Sequence, residues 1–484
     1  MRLSELCFGT DVETVYGKDV IAQELQIREV CIDSRKADQN TVFAPILGSK
    51  ENGGDYVGDA YDRGCRAFLT ETNAHPKNDC VIIKTKNIRK TVAELSFKIN
   101  EEAFKKIKII GITGTKGKTS IAFTIAKILS INGVRAFSIG TLGLCDGEGC
   151  VIEKTINTTP VPTELSRLIR RCADMGAEVI ALEVSSQAIV DFRVYGLKFY
   201  AVVFSSLADD HIGKSEHENF TEYAMAKRSL FVDYKADYRI FNADDTYTPY
   251  VSFKTEKCIK CGFRERSDYL ISDFSFSHFE SSFKLSGVRV SSSMPARYDA
   301  VNISLALVAA SLVSGTKIST LAATVPSVKI PGRFERYGVN GRTVIIDYAH
   351  NGLSVASVLS LVRTLYSGKI ISVFGSVGDR SKERRRELAE AAEAGSDYSV
   401  ITSDNPGFES AESICIEIMR CFKDKSLCEI CVDREAAIFR AYKLSAPGDV
   451  IMLLGKGHEE EMYINGVRLP FSERKIIEKL KSLQ

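Results

Sequence analysis

From about residue 107 onward, short apolar runs alternate with amphipathic stretches. The run 107–112 predicts a buried strand, and 120–129 predicts a helix. Further strands are expected at 178–183, 200–204 and 238–242. Short apolar runs separated by helices argue a parallel sheet covered on both faces. Residues 258–293 alternate polar and apolar side chains and read as an antiparallel ribbon appended to that sheet. A boundary falls near Pro331-Gly332-Arg333, after which strands at 343–347, 370–374, 398–402 and 449–454 predict a second α/β unit. The first hundred residues form a third unit, smaller and less regular. No repeat or low-complexity tract is evident, and the basic run 382–386 reads as the solvated face of a helix.

Composition narrows the class. A chain of 484 residues, 44% hydrophobic and 26% charged, is a soluble globular protein of about three domains. Lys and Arg number 64 against 62 Asp and Glu, a balance that argues against a nucleic-acid-coating or membrane-surface protein. No apolar run approaches the roughly 18 residues a spanning helix needs, and the start, Met1-Arg2-Leu3-Ser4, is too polar for a signal peptide. Thirteen scattered cysteines fit reduced thiols in a cytoplasm. Two Cys-x-x-Cys pairs occur, Cys258/Cys261 and Cys428/Cys431. They are far apart, and the second lies in a predicted strand, so a structural metal is not expected.

The predicted strand 107–112 runs into Gly114-Thr115-Lys116-Gly117-Lys118-Thr119-Ser120, and a helix follows. A glycine turn before a helix aims backbone N–H groups and the helix N-terminus at one point, which favours a phosphate chain. Lys118 can reach terminal phosphates and the Thr119 hydroxyl can meet Mg²⁺. The spacing is shorter than the general phosphate loop, whose first Gly would fall at Ile112. Glu183 ends one predicted strand and His211 follows the next, so both converge on the carboxyl edge of the sheet. A carboxylate, an imidazole and phosphate oxygens can hold one or two hard cations there.

The short loop resembles that of the Mur ligase family. Nine further strings in family order extend the resemblance over nearly the whole chain. They are Asp33-Ser34-Arg35, Asn157-Thr158-Thr159-Pro160, Glu183-Val184-Ser185-Ser186 with Arg193, Tyr223 to Phe231, and Pro331-Gly332-Arg333. The rest are Asp347-Tyr348-Ala349-His350-Asn351, Gly378-Asp379-Arg380, Asp404-Asn405-Pro406, and Gly455 to Glu459 with His458. The type resembled adds the third amino acid to a UDP-N-acetylmuramoyl dipeptide in peptidoglycan precursor synthesis. The resemblance implies a three-domain α/β architecture: a uridine-nucleotide domain at 1–104, a P-loop-type parallel-sheet ATP domain at 105–331, and a Rossmann-like amino-acid domain at 332–484. It implies ATP contacts from 114–120, Asn302, Arg333, Asp347 and His350, the last two closing onto the nucleotide. UDP-substrate contacts would come from Ser34, Asn157, Thr158, Thr159, Ser185 and Arg193. Amino-acid contacts would come from Arg380, Asp404, Asn405, Gly455 and Glu459. Thr119, Glu183, His211 and Lys227 would hold Mg²⁺, Lys227 as a CO₂-derived carbamate, and Lys118, Lys227, His211 and Glu183 would be catalytic. By itself the sequence reads Lys227 as a solvated helix lysine. A cytoplasmic monomer acting on small molecules, without nucleic-acid or membrane partners, is the expectation.

Departures from the family pattern are local. Gln187, Ser206, Gly213, Asp191 and Asn351-Gly352 stand where His, Asn, Asp, Gln and a Pro-containing ending are usual. Members that take meso-diaminopimelate carry an Arg after Asp-Asn-Pro, whose fork pairs with the distal carboxylate. Here that residue is Gly407. L-Lysine is the leading expectation, its ammonium served by Asp404, Glu409 or Glu459. Ornithine, meso-diaminopimelate or a small neutral amino acid are the alternatives. A folate-type ligase and a nucleotide-switch protein are further readings. Asp33-Ser34-Arg35 argues against the first, and Arg193 with 404–406 against the second.

Overall fold

The computed structural model describes residues 1–17, 24–48, 51–72, 79–208, 217–253, 255–277, 280–378 and 382–482. It forms two compact units, one of Met1–Ser275, Ser281–Ser292 and Arg297–Val328, the other of Phe276–Glu280, Ser293–Ala296 and Lys329–Gln484. The larger unit holds two sheets.

The first sheet joins β1 (Val12–Tyr16), β2 (Glu29–Cys31), β3 (Thr41–Phe43), β4 (Ala67–Thr70) and β5 (Val81–Thr85) in the order β1-β5-β4-β3-β2. Only β1 is antiparallel. On one face Val30, Val42, Leu69 and Ile83 pack on Val92 and Leu95 of the helix Ile88–Ile99. This part is regular, contrary to its irregular appearance in sequence. Strands of three residues are too short to display a period.

The second sheet has eleven strands. Its centre is parallel: β7 (Ala136–Gly140), β10 (Val179–Glu183), β6 (Lys108–Thr113), β11 (Phe199–Phe204), β12 (Ala236–Asn242) and β13 (Cys258–Gly262), in that spatial order. β8 (Gly143–Asp146) and β9 (Val151–Glu153) continue it antiparallel beside β7. β14 (Tyr269–Ser277), β15 (Glu280–Leu285) and β16 (Val288–Ser292) finish the other end. The ribbon expected at 258–293 is therefore real only from β14 on, with β15 and β16 antiparallel. Cys258–Gly262 instead extends the parallel sheet, because alternation sets which face a side chain takes and not strand direction. The chain leaves β6 toward β7 and β10 but later returns on its other side as β11. That reversal opens a crevice at the carboxyl ends of β6, β10 and β11, where ligands bind in such sheets.

In the smaller unit the order is β17-β18-β22-β19-β20-β21, built from Glu335–Val339, Arg342–Asp347, Val450–Leu454, Ile370–Phe374, Tyr398–Ile401 and Cys428–Ile430. All but β17 are parallel. Helices Gly352–Leu365, Lys382–Gly395 and Ala411–Cys421 cover one face, and Arg434–Leu444 with Glu473–Lys481 cover the other. A short hairpin, β23 (Glu461–Ile464) and β24 (Val467–Pro470), stands apart from the sheet. The basic run 382–386 is not wholly solvated: Arg385 is buried and clamps Glu409 and Glu417 at 2.6 and 2.7 Å.

Among the described residues, no helix is long and apolar enough to cross a membrane, and no His/Cys/Asp/Glu group is arranged to hold a metal. All thirteen cysteines are free thiols. Cys258 bonds the Thr255 hydroxyl at 2.6 Å.

Candidate active site

The turn after β6 is shaped from behind. Gly114 has φ +151°, and a Cβ there would fall 1.9 Å from Ser205 Oγ and 2.9 Å from Ser206 N. Only glycine allows that approach. The Thr115 amide donates to Ser206 O at 2.7 Å and the Lys116 amide to Ser206 Oγ at 3.1 Å. The helix that starts here spans Lys118–Ile131, two residues earlier than its apolar periodicity announced. Lys116 is exposed, and Ser120 is half-buried in the first turn of that helix. Asn302 reaches the loop from the helix Arg297–Ser314: a Cβ on Gly117 would lie 2.6 Å from its Oδ1.

Two ammonium groups converge on one carbonyl of this turn. Lys118 Nζ donates to Gly114 O at 2.7 Å and to Thr115 O at 3.2 Å. Lys227 Nζ donates to the same Gly114 O at 3.0 Å. Lys227 is 1% exposed, which overturns its reading as a solvated residue. On the helix Phe220–Val232 it shares a face with Tyr223, Leu230 and Phe231, all buried. Its ammonium lies 4.4 Å from the Tyr223 ring centroid, and the Tyr223 hydroxyl bonds Thr115 Oγ1 at 2.9 Å. Concentrated positive charge at a helix N-terminus is a setting for a polyanion.

Glu183 faces this cluster from the end of β10. It is 2% exposed and accepts from Thr119 Oγ1 at 3.0 Å, Thr141 N at 2.9 Å and Thr141 Oγ1 at 3.1 Å. Burial pushes its carboxyl above the usual range, and Lys118 pulls the other way. Thr141 had no signal in the sequence; it meets Glu183 only because β7 lies next to β10. His211, Asp379 and Arg380 lie outside the described residues. His217, given no role from sequence, is buried with Nε2 hydrogen-bonded to Ser186 Oγ at 2.9 Å and its ring 5.2 Å from that of Tyr223.

The loops expected to hold the acceptor lock onto one another. Thr159 Oγ1 donates to Glu183 O and accepts from Ser185 N, both at 2.9 Å, while Thr158 and Thr141 hydroxyls meet at 3.2 Å. Asn157 opens this segment, half-buried. Arg193 donates to Thr159 O at 3.0 Å and to Asp191 at 2.9 Å. Asp191 also faces Arg89 at 3.7 Å. Ser34 belongs to the first sheet's own edge, buried in a turn capped by Asp33.

In the smaller unit the remaining motifs gather at the carboxyl edge of its sheet, after β18, β22 and β20. Asp347 accepts from Phe334 N and Ala349 N, each at 2.8 Å. Burial raises its carboxyl, and Arg333 opposes that. Arg333 lies 4.9 Å from the Tyr348 ring centroid, and the rings of His350 and His458 lie 4.8 and 5.1 Å from Tyr348. Lys456 is fully buried and donates to Asn405 Oδ1 at 2.9 Å and Glu459 Oε2 at 2.7 Å, with Asp404 at 3.9 Å. Burial raises Glu459, but Lys456 reverses that and holds it low. The acids offered for a substrate ammonium are thus already engaged, Glu409 by Arg385 and the other two by Lys456. Gly407 has φ +64° and is hydrogen-bonded on both sides to the β23–β24 hairpin.

A fold that sets two cations and a buried carboxylate around one glycine turn, in a chain whose other unit carries its own charged sheet edge, belongs to the class of phosphate-binding α/β proteins. Residues 112–310 match the Mur ligase middle domain, and residues 332–457 match the Mur ligase glutamate ligase domain. The UDP-N-acetylmuramoyl-L-alanyl-D-glutamate–2,6-diaminopimelate ligase of Aquifex aeolicus is 32% identical over 459 residues, 94% of each chain. That of Clostridium perfringens is 32% identical over 490 residues, 99% of each. A solved ligase of the same name superposes with a TM-score of 0.70 at 26% identity, covering 99% of this chain and 98% of the other. Folylpolyglutamate synthase of Mycobacterium tuberculosis shares the fold over 76% of this chain and 92% of its own, with a TM-score of 0.63 at 15% identity. The chain belongs to the Mur ligase family: it is an amino-acid ligase with that family's three-domain α/β architecture.

Proposed function

We propose that the protein uses ATP to add the third amino acid to UDP-N-acetylmuramoyl-L-alanyl-D-glutamate, in peptidoglycan precursor synthesis. The observation that carries this reading is the convergence of Lys118 and Lys227 on Gly114 O beside the Thr119–Glu183 bond. The γ-phosphoryl group passes from ATP to the acceptor carboxylate, giving an acyl phosphate and ADP. The amine of the incoming amino acid then attacks, and the tetrahedral intermediate expels phosphate. The chain's contribution is to hold anionic reactants together and neutralise charge as it moves. Lys118 and the helix N-terminus take the phosphates, Asn302 lies on the nucleotide side of the turn, and Arg333, Asp347 and His350 serve the same nucleotide. Asn157, Thr158, Thr159, Ser185 and Arg193 take the peptide end of the acceptor, and Ser34 the uridine end.

Thr119 and Glu183 offer hard oxygens in a buried, hydrogen-bonded pair, a donor set that fits Mg²⁺. They would hold it with His211, and the ion supplies charge neutralisation on phosphate oxygens. Lys227 gives up one proton to become the amine, adds CO₂ at Nζ and loses a second proton, so that an anionic carbamate replaces the ammonium as a further oxygen donor. The domains divide as 1–104 for the uridine nucleotide, 105–331 for ATP and 332–484 for the amino acid, and the protein works as a cytoplasmic monomer.

For the amino acid, Gly407 favours L-lysine, since no guanidinium stands there to meet a second carboxylate. A second reading, meso-diaminopimelate, is favoured by the names of the relatives above. It gains weight because Asp404, Glu409 and Glu459 already have cationic partners. The test is ADP release with the UDP-dipeptide plus each amino acid. Turnover only when both acceptors are present supports the ligase. Equal turnover without them overturns it in favour of a nucleotide switch.

A further inference from the structure

The smaller unit buries a charge pair that the proposed chemistry does not use. Arg434 and Glu473 are 1% and 2% exposed. Arg434 opens the helix Arg434–Leu444, and Glu473 opens the helix Glu473–Lys481. Arg434 Nε and Nη2 both reach Glu473 Oε1, at 2.9 and 2.8 Å. The other carboxylate oxygen, Glu473 Oε2, is buried without a hydrogen bond among the described residues. A pair built for stability would satisfy that oxygen, and buried pairs of this kind are commonly matched in stability by apolar residues of similar size.

The rest of the guanidinium has a different destination. Arg434 Nη1 donates to Ser403 O at 3.2 Å, and Nη2 donates to Leu454 O at 2.7 Å. Ser403 immediately precedes Asp404-Asn405-Pro406, and Leu454 immediately precedes Gly455-Lys456-Gly457. These are two separate loops, at the ends of β20 and β22, which are not neighbours in the sheet. They touch: a Cβ on Gly455 would come 2.7 Å from Asp404 Oδ2. One rigid fork therefore ties the roots of both loops to a single point, and Lys456 bridges their tips through Asn405.

We infer that Arg434, aimed by Glu473, is a positioning residue that sets the register of the two loops reading the incoming amino acid. It touches no substrate and acts through Asp404, Asn405 and Gly455. The inference rests on the amino-acid role proposed above for those loops. Arginine suits this place because its planar fork spreads its donors over a carboxylate and the carbonyls of two separate loops, a wider span than the single nitrogen of a lysine covers.

The test replaces the pair with apolar residues, Arg434→Met with Glu473→Leu, in the full chain, alongside Arg434→Lys. Steady-state ligation is measured with L-lysine and with meso-diaminopimelate, varying ATP, UDP-dipeptide and amino acid in turn. The double variant is expected to melt within about 3 °C of the parent. Its KM for the amino acid is expected to rise about tenfold or more, since small misplacements of reading groups are amplified. The KM values for ATP and UDP-dipeptide should stay within about twofold of the parent. Arg434→Lys should fall between the two. An unchanged amino-acid KM in a folded double variant overturns the inference, as does a fall of all parameters together. Failure of both variants to fold also overturns it, because the pair then serves the fold. Absence of any peptide product from the parent protein removes the functional reading itself, an outcome distinct from parental turnover with an unmoved KM.

Discussion

Gly140 allows a single methyl group to test the site. It ends β7, outside the left-handed region, so alanine fits its backbone. The added Cβ would lie 2.0 Å from Glu183 Oε1, 2.4 Å from its Cδ and 2.5 Å from its Cγ. Contacts at all three atoms mean that the whole side chain must rotate. Rotation breaks the bonds from Thr119 and Thr141. Hydrogen bonds to a charged group are worth about 1.5–3 kcal/mol each, so losing even two of these three removes about 3 kcal/mol or more from whatever the carboxylate supports. If that is metal–nucleotide binding in the reacting complex, kcat/KM for ATP falls by about two powers of ten. Overpacking should also lower stability by about 1–3 kcal/mol. The assay is kcat/KM for ATP across a Mg²⁺ titration, with thermal unfolding in parallel. Glu183→Gln is the reference, since it keeps the shape and removes the charge. Activity of Gly140→Ala within about threefold of the parent, with an unmoved Tm, would show that Glu183 tolerates displacement and would refute the reasoning.

Lys227→Ala should lose most activity while Lys227→Arg restores little, and short carboxylates or added CO₂ should partly rescue the alanine variant; full activity in Lys227→Ala removes the carbamate. Lys118→Ala should abolish ADP release, checked in the same assay. Gly407→Arg should raise the use of meso-diaminopimelate relative to L-lysine in a competition assay. The left-handed φ of +64° should cost it about 1 kcal/mol of stability. Glu335 is partly buried, and burial raises its carboxyl, but Arg474 at 2.6 Å, with Tyr337 and Gly332, holds it below 4.5. Its contribution is therefore full above pH 4.5 and lost as pH falls through the lower folded value. The Tm gap between parent and Glu335→Gln should be constant above pH 4.5 and close below it.

Local chemistry was readable from the sequence wherever one segment sufficed to express it. The strand-turn-helix at 107–129 announced itself because its apolar run, glycines and helix are contiguous. The position of Glu183 was legible for the same reason, as the polar residue that ends an apolar strand. Features that depend on partners distant in sequence were not readable. Thr141 meets Glu183 through strand order, Lys227 is buried because its helix turns that face to the turn after β6, and Arg385 is covered by Glu409 and Glu417 from a later segment. The acidic residues offered to L-lysine illustrate the same limit: formal charge was visible, but its neutralisation by Lys456 and Arg385 was not.

The buried charges divide into two kinds, and the division bears on function. Around Gly114 O, two ammonium groups share one carbonyl, and Glu183 faces them, its carboxyl raised by burial and drawn the other way by Lys118. In the smaller unit, Lys456 and Arg434 are bonded directly to carboxylates and carbonyls. Two cations turned onto one loop carbonyl concentrate positive charge where a phosphate chain would lie. A cation bonded directly to a carboxylate and to carbonyls holds its loop in shape. Phosphoryl transfer needs the first property, since charge must be met as it develops. Choosing among amino acids needs the second, because discrimination depends on groups that do not adapt to the wrong ligand. The two units of the ligase therefore differ in how they use buried charge, and substitutions at Lys118 or Lys227 should remove most or all turnover where those at Arg434 raise the amino-acid KM.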